Sequence, residues 1–172
     1  LAGSLRGLIK EAPFSFEGLQ ELKLRTERPF LCRYEGREYG FLETGELVRT
    51  ETGDSLGSCD RRGIPARLRR VSAGEVKETL EYAGSYSLYA YEEELRQGFL
   101  TVRGGHRIGL AGKAVLEEGR IRSLKQISFL NIRLAHQVKG CAEKILPYLY
   151  EGGRVFHTLV ISPPGFGKTT LL

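Results

Sequence analysis

Ser162-Pro163-Pro164-Gly165-Phe166-Gly167-Lys168-Thr169 is the run of residues whose types and spacing could do chemistry, and that chemistry is phosphate binding. The pattern is that of a Gly-x-x-x-x-Gly-Lys-Thr loop with serine in its first position. Gly165 and Gly167 allow a backbone to curl until its N–H groups face phosphate oxygens. Lys168 brings a positive charge to the β- and γ-phosphates, and the Thr169 hydroxyl is a ligand for Mg²⁺. A helix beginning near Lys168 and running through Thr170 would add the positive end of its dipole. Ahead of the loop, Thr158-Leu159-Val160-Ile161 has the composition of a buried strand, so strand, loop and helix are expected in that order. A chance Gly-Lys-Thr in an ordinary turn is the competing reading, and the flanking signals weigh against it.

Such a loop needs an acidic residue on a later strand and the rest of a parallel sheet to complete a hydrolase. Three residues follow Thr169, the chain opens on Leu1, and it contains no Met. The expectation is a piece of a longer protein, made mostly of the domain that precedes the nucleotide-binding core.

The elements that must position the loop are read from patterning. Within 172 residues there is room for one ordinary domain and a short continuation. A hydrophobic content of 41% with 27% charged residues describes a globular chain rather than a disordered one. The net charge of +5 suits an anionic partner without requiring one. No apolar run is long enough to span a membrane and no signal peptide is seen, so a cytoplasmic location is expected, with any membrane contact peripheral and through partners. Cys32, Cys59 and Cys141 show neither Cys-x-x-Cys nor zinc-ligand spacing and are expected as reduced thiols.

Residues 19–42 read as strands, with a hairpin turn at Glu35-Gly36-Arg37-Glu38 and an edge or a bend at Arg28-Pro29. Residues 43–70 read as the least ordered part. Ser72-Ala73-Gly74-Glu75 matches a capping box, opening a helix whose Val76, Leu80 and Ala83 share a face and which Gly84 closes. A second helix is predicted over 86–97. Strands are predicted over 99–103, 106–115, 121–127 and 130–135. A helix over 138–149, kinked or cut short by Pro147, then leads to the strand before the loop. His106, His136 and His157 read as structural. Gly104-Gly105 before His106-Arg107 could form an anion nest or a sharp turn.

The segment 61–70 holds five arginines in ten residues. It reads either as a flexible basic arm for nucleic acid or anionic lipid or as a solvated loop leading into the helix. The loop is preferred, and with no aromatic residue in the arm any base stacking would have to come from elsewhere.

Several stretches taken together resemble the stage III sporulation protein AA family. They are 101–112, Leu130-Asn131-Ile132-Arg133-Leu134-Ala135, Lys139-Gly140-Cys141-Ala142, and Ile161-Ser162-Pro163-Pro164-Gly165 with the loop. The likeness is strong over 70–172 and weak before it, and Ser162 suits the family's Ser-Pro-Pro-Gly form. The resemblance implies a sporulation ATPase acting in the mother cell, similar to the hexameric ATPases of type II secretion and type IV pilus systems. It also implies docking on membrane-embedded channel subunits at the cytoplasmic face. By analogy with such ring ATPases, Arg103, Arg107 and Arg133 are candidates for phosphate contacts, each weighed against a plain surface arginine.

The expected architecture is therefore an α+β N-terminal domain over 1–135, with a small mixed or antiparallel sheet and helices. Residues 136–172 would begin a RecA-like ATPase domain. ATP would lie on 162–170, with Lys168 and Thr169 as the catalytic candidates and Mg²⁺ on Thr169. A homo-oligomeric ring is the expected assembly, with nucleic acid not an expected partner. The alternatives are a nucleic-acid module using 61–70 and an assembly domain without activity of its own.

Overall fold

The computed structural model describes residues 1–50, 67–84, 91–136, 140–163 and 167. Among them the chain divides into two compact units, Leu1–Ala135 and His136–Leu172.

The first unit opens with α1 (Gly3–Glu11), which patterning did not announce. Leu5 and Ile9, one helical turn apart, are buried. No side chain of its own caps it; instead the Ala2 N–H donates to Thr79 Oγ1 at 3.0 Å and the Gly3 N–H to Glu78 Oε1 at 3.0 Å. Two of its N-terminal donors are thus satisfied from a helix far along the chain. A 3₁₀ turn (Phe16–Gly18) leads into strands β1 (Leu19–Arg25), β2 (Leu31–Tyr34), β3 (Arg37–Phe41) and β4 (Leu47–Arg49). After α2 (Ala73–Ala83) and α3 (Glu92–Gln97) come β5 (Phe99–Val102), β6 (His106–Glu117) and β7 (Arg120–Arg133).

These strands form one seven-stranded sheet in the order β4-β3-β2-β1-β7-β6-β5. Every pairing in it is antiparallel, so the sheet is larger and more uniform than expected. Alternation sets its two faces. Leu22, Leu24, Cys32, Leu100, Ile108, Leu130 and Ile132 join Leu5 and Ile9 of α1 and Val76 and Leu80 of α2 in one core. On the other face of β1, β7 and β6, the alternating Glu21, Lys23, Arg107, Asn131 and Arg133 are exposed or half-buried. Burial, with Glu38 adding, pushes the Cys32 thiol up to about 12, so it is an unreactive core group.

Two expectations about this unit change. The end of the supposedly unordered segment is built in: Leu68 and Val71 are buried. The Phe30 N–H donates to the Arg69 carbonyl at 2.7 Å, and the Arg69 N–H to that of Phe41 at 2.8 Å. The Arg70 guanidinium reaches the Glu27 carbonyl at 3.1 Å. β4 also lies in that segment, whereas residues 51–66, with Arg61 and Arg62, fall outside the described residues. The predicted strands 121–127 and 130–135 are one strand, β7, carried past its irregularity by Gln126 in a left-handed conformation at φ 47°. The second helix is described only from Glu92, residues 85–90 lying outside the described set.

In the second unit, the predicted helix over 138–149 is reduced to α4 (Leu146–Leu149). Pro147 sits in its first turn, where a missing N–H costs nothing, and so starts the helix rather than kinking it. A two-residue hairpin of β8 (Tyr150–Glu151) and β9 (Arg154–Val155) follows. The strand expected at 158–161 does not form, and Leu159 and Ile161 are over four-fifths exposed. A strand buried on both faces requires neighbours to pair with, and the described part of this unit offers only the β8–β9 ribbon.

The capping box is present as read: the Glu75 N–H donates to Ser72 Oγ at 3.2 Å and the Ser72 N–H to Glu75 Oε2 at 2.8 Å. The other carboxylate oxygen accepts from Ser4 Oγ of α1 and from the Arg69 guanidinium, each at 2.5 Å. Burial alone would raise this carboxyl. The hydrogen bonds from Ser4 and Ser72 and the charge of Arg69 outweigh it and hold Glu75 below its ordinary value of 4.5. A lowered carboxyl stabilises the fold above its unfolded pKa, and that contribution disappears as pH falls through the folded one. Glu75→Gln should therefore cost about 2 kcal/mol at neutral pH. It should also make urea-unfolding stability less sensitive to acidification below about pH 4.5 than in the unaltered chain.

Candidate nucleotide loop and the arginine face

Ser162, Pro163 and Gly167 are the loop residues that the structure describes; Pro164, Gly165, Phe166, Lys168, Thr169 and Thr170 lie outside the described set. Gly167 has φ 79°, a left-handed conformation that a side chain would strain. That is the geometry a curled phosphate loop asks of a glycine. The Ser162 hydroxyl donates to the Pro163 carbonyl at 3.2 Å, so its proton is engaged within the chain. Among the described residues no group of three or more His, Cys, Asp and Glu could hold a metal ion, and Thr169, the expected Mg²⁺ ligand, lies outside the described set.

The three candidate arginines belong to the first unit, and the sheet separates them. Arg107 and Arg133 are directly opposite on β6 and β7, both on the face turned away from the helices. Arg107 also lies over the Phe99 ring at 5.9 Å. Arg33, which patterning passed over, stands two strands along in the same row, beyond Glu21. Arg103 does not join them. It lines a cleft on the helical side of the sheet with Arg6, Lys10 and His106. The signal that could have sorted them is parity: Arg107 and Arg133 alternate with buried Ile108 and Ile132, while Arg103 sits in the turn after β5.

The glycine pair makes a turn rather than a nest. Gly104 and Gly105 have φ 92° and 77°, and the Gly105 N–H donates to the Val102 carbonyl at 3.1 Å, closing the β5–β6 hairpin. That N–H is not available to an anion. His106 is structural: its Nδ1 accepts the Ala135 N–H at 2.9 Å, tying the hairpin to the chain two residues past β7. This bond leaves the proton of the neutral ring on Nε2.

Residues 61–172 match the family described as sporulation stage III, protein AA. Over 113 residues the chain is 47% identical to Stage III sporulation protein AA of Bacillus subtilis (strain 168), covering 65% of this chain and 36% of that protein. The chain thus spans little more than a third of that relative's length. No solved structure matches it. Among the described residues no helix is long and apolar enough to cross a membrane.

Replacing the ring by an apolar one of similar size isolates the tie at Ala135. His106→Phe should lower stability by about 1 kcal/mol and speed hydrogen exchange at the Ala135 amide more than at amides within β7. Unchanged exchange at Ala135 would mean that the bond holds nothing.

Proposed function

This chain belongs to the sporulation stage III protein AA family, and from that membership we propose that it is the front part of an ATP-binding sporulation motor. The carrying observation is Gly165-Phe166-Gly167-Lys168-Thr169 inside the matched span, with Gly167 in the left-handed conformation such a loop requires. In this reading backbone N–H groups of 162–170 cradle the phosphates and Lys168 neutralises the outer ones. Thr169 would hold Mg²⁺, which when bound offsets charge on the β- and γ-phosphate oxygens. Arg107 and Arg133, side by side on an open face, are the better candidates for a further phosphate contact from the front domain.

The proposal extends to assembly. Hydrolysis would drive one domain against the next in a ring of like subunits. That ring would dock at the cytoplasmic face on membrane-embedded channel subunits in the mother cell. The nucleic-acid reading is weaker than patterning alone allowed, because Arg69 and Arg70 are held within the fold.

The test uses the full-length protein, unaltered beside Lys168→Ala, over a range of concentrations. Turnover that rises more than linearly with protein concentration and disappears in the variant, with the thermal melt unchanged, is the expected result. Equal turnover in the two proteins would sink the assignment. Arg107→Ala combined with Arg133→Ala should weaken ATP binding about tenfold or more, a loss of roughly 1.4 kcal/mol. Arg33→Ala should leave binding unchanged.

A further inference from the structure

On the helical face of the sheet a cleft of about 560 Å³ opens between α1, the last turn of α2 and the strands. Its floor includes Leu22, Ile108 and Ile132, and its walls include Ile9, Phe16 and Tyr91. The size and the apolar lining are those of a small-ligand site. Three cations, Arg6, Lys10 and Arg103, stand among its lining residues, and none of the described lining residues is acidic. Arg6 and Lys10 are one turn apart on α1, all three are exposed, and the Arg6 guanidinium lies over the Tyr82 ring at 5.2 Å.

The polar inventory narrows what could lie there. Floor strands β1, β7 and β6 are interior to the sheet, each paired on both sides, so they offer no free ladder edge for an extended peptide. Thr79 Oγ1 is engaged by the Ala2 N–H, and His106 Nδ1 by the Ala135 N–H. Besides the rim cations the lining includes the His106 Nε2–H and the Tyr82 and Tyr91 side chains. The floor of Leu22, Ile108 and Ile132 carries no side-chain polar group, so anything polar buried on it would lose its hydrogen bonds. The occupant that fits has an apolar body and one negative end.

We propose that this cleft binds a monomeric single-chain amphiphile, an acyl chain ending in a carboxylate or phosphate. The tail lies over Leu22, Ile108 and Ile132, and the head lies among Arg6, Lys10 and Arg103. Its described lining residues all belong to the first unit, so the Lys168→Ala protein should bind the amphiphile unchanged.

Calorimetric titration of the full-length protein with dodecyl phosphate, below its critical micelle concentration, tests this. Laurate and the neutral dodecanol serve as comparisons, and anionic phospholipid vesicles as a separate arm. Saturable one-to-one binding of dodecyl phosphate and laurate, with dodecanol at least about tenfold weaker, is expected. Lys10→Ala with Arg103→Ala, both at exposed positions, should weaken dodecyl phosphate binding by about tenfold or more. Ala83→Trp, which fills the cleft from the end of α2, should abolish it. Should that variant fail to fold, the rim pair still decides. Absent saturation, equal binding of dodecanol, indifference to the rim substitutions, or binding to vesicles alone would each overturn the proposal.

Discussion

The sheet depends on one seam. Strands β1 to β4 form one antiparallel meander and β5 to β7 another, and they become a single sheet where β1 pairs with β7, from Glu21 opposite Arg133 to Arg25 opposite Phe129. Residues 26–119 lie between the two strands, so this contact closes a long loop and must be supported by burial rather than by local preference. The support is visible on the helical side, where Leu22 and Leu24 face Ile132 and Leu130 across the seam beneath α1 and α2. The family match begins at residue 61 and takes in the second meander alone, while the first supplies the strand against which β7 is buried.

A second knot holds the helices to that seam. The Glu75 carboxylate gathers Ser4 from α1, Ser72 from the start of α2 and Arg69 from the chain entering it, and Arg69 reaches on to Glu43 at 3.0 Å. A buried carboxylate is costly alone, but one with three donors fixes the angle at which separate elements meet. It also explains why half of this knot was legible and half was not. Ser72 and Glu75 are three residues apart, a local signature. Ser4 and Arg69 come to the same oxygen only in three dimensions, and nothing in their own neighbourhoods announces it.

The same division runs through the rest of the chain. The Glu35-Gly36 hairpin, the α2 cap and the strand pattern of 99–115 are set by short-range chemistry and were readable. Helix α1 was not, because Gly3 and Gly7 lower its intrinsic preference and its N-terminal donors are capped by Thr79 and Glu78. β7 runs through the gap expected at 128–129, with its irregularity at Gln126 inside the first of the two predicted strands, because a bulge can only be told from a break once the partner strand is known. At the candidate site the loop residues were legible as a motif, while the grouping of the arginines was not. Arg103 and Arg107 are four apart in sequence yet are turned to opposite faces by a three-residue turn.

The row of side chains across the open face supplies the remaining argument. From β3 to β6 the register brings Glu38, Arg33, Glu21, Arg133 and Arg107 into line, with Thr101 of β5 at its end. Signs alternate along it until Arg133 meets Arg107, where two positive charges are neighbours and opposed charges no longer help. Glu21 cannot relieve both, since it lies on the far side of Arg133 and its Oε1 is held by Asn131 Nδ2 at 2.7 Å. Exposure to water and salt keeps the repulsion small, so the pair is tolerated while the face stays open. Covering it with an apolar partner would remove that screening and raise the cost. An anion resting on it would instead continue the alternation. This is the physical reason for preferring Arg107 and Arg133 over Arg103 as phosphate contacts in the proposed motor.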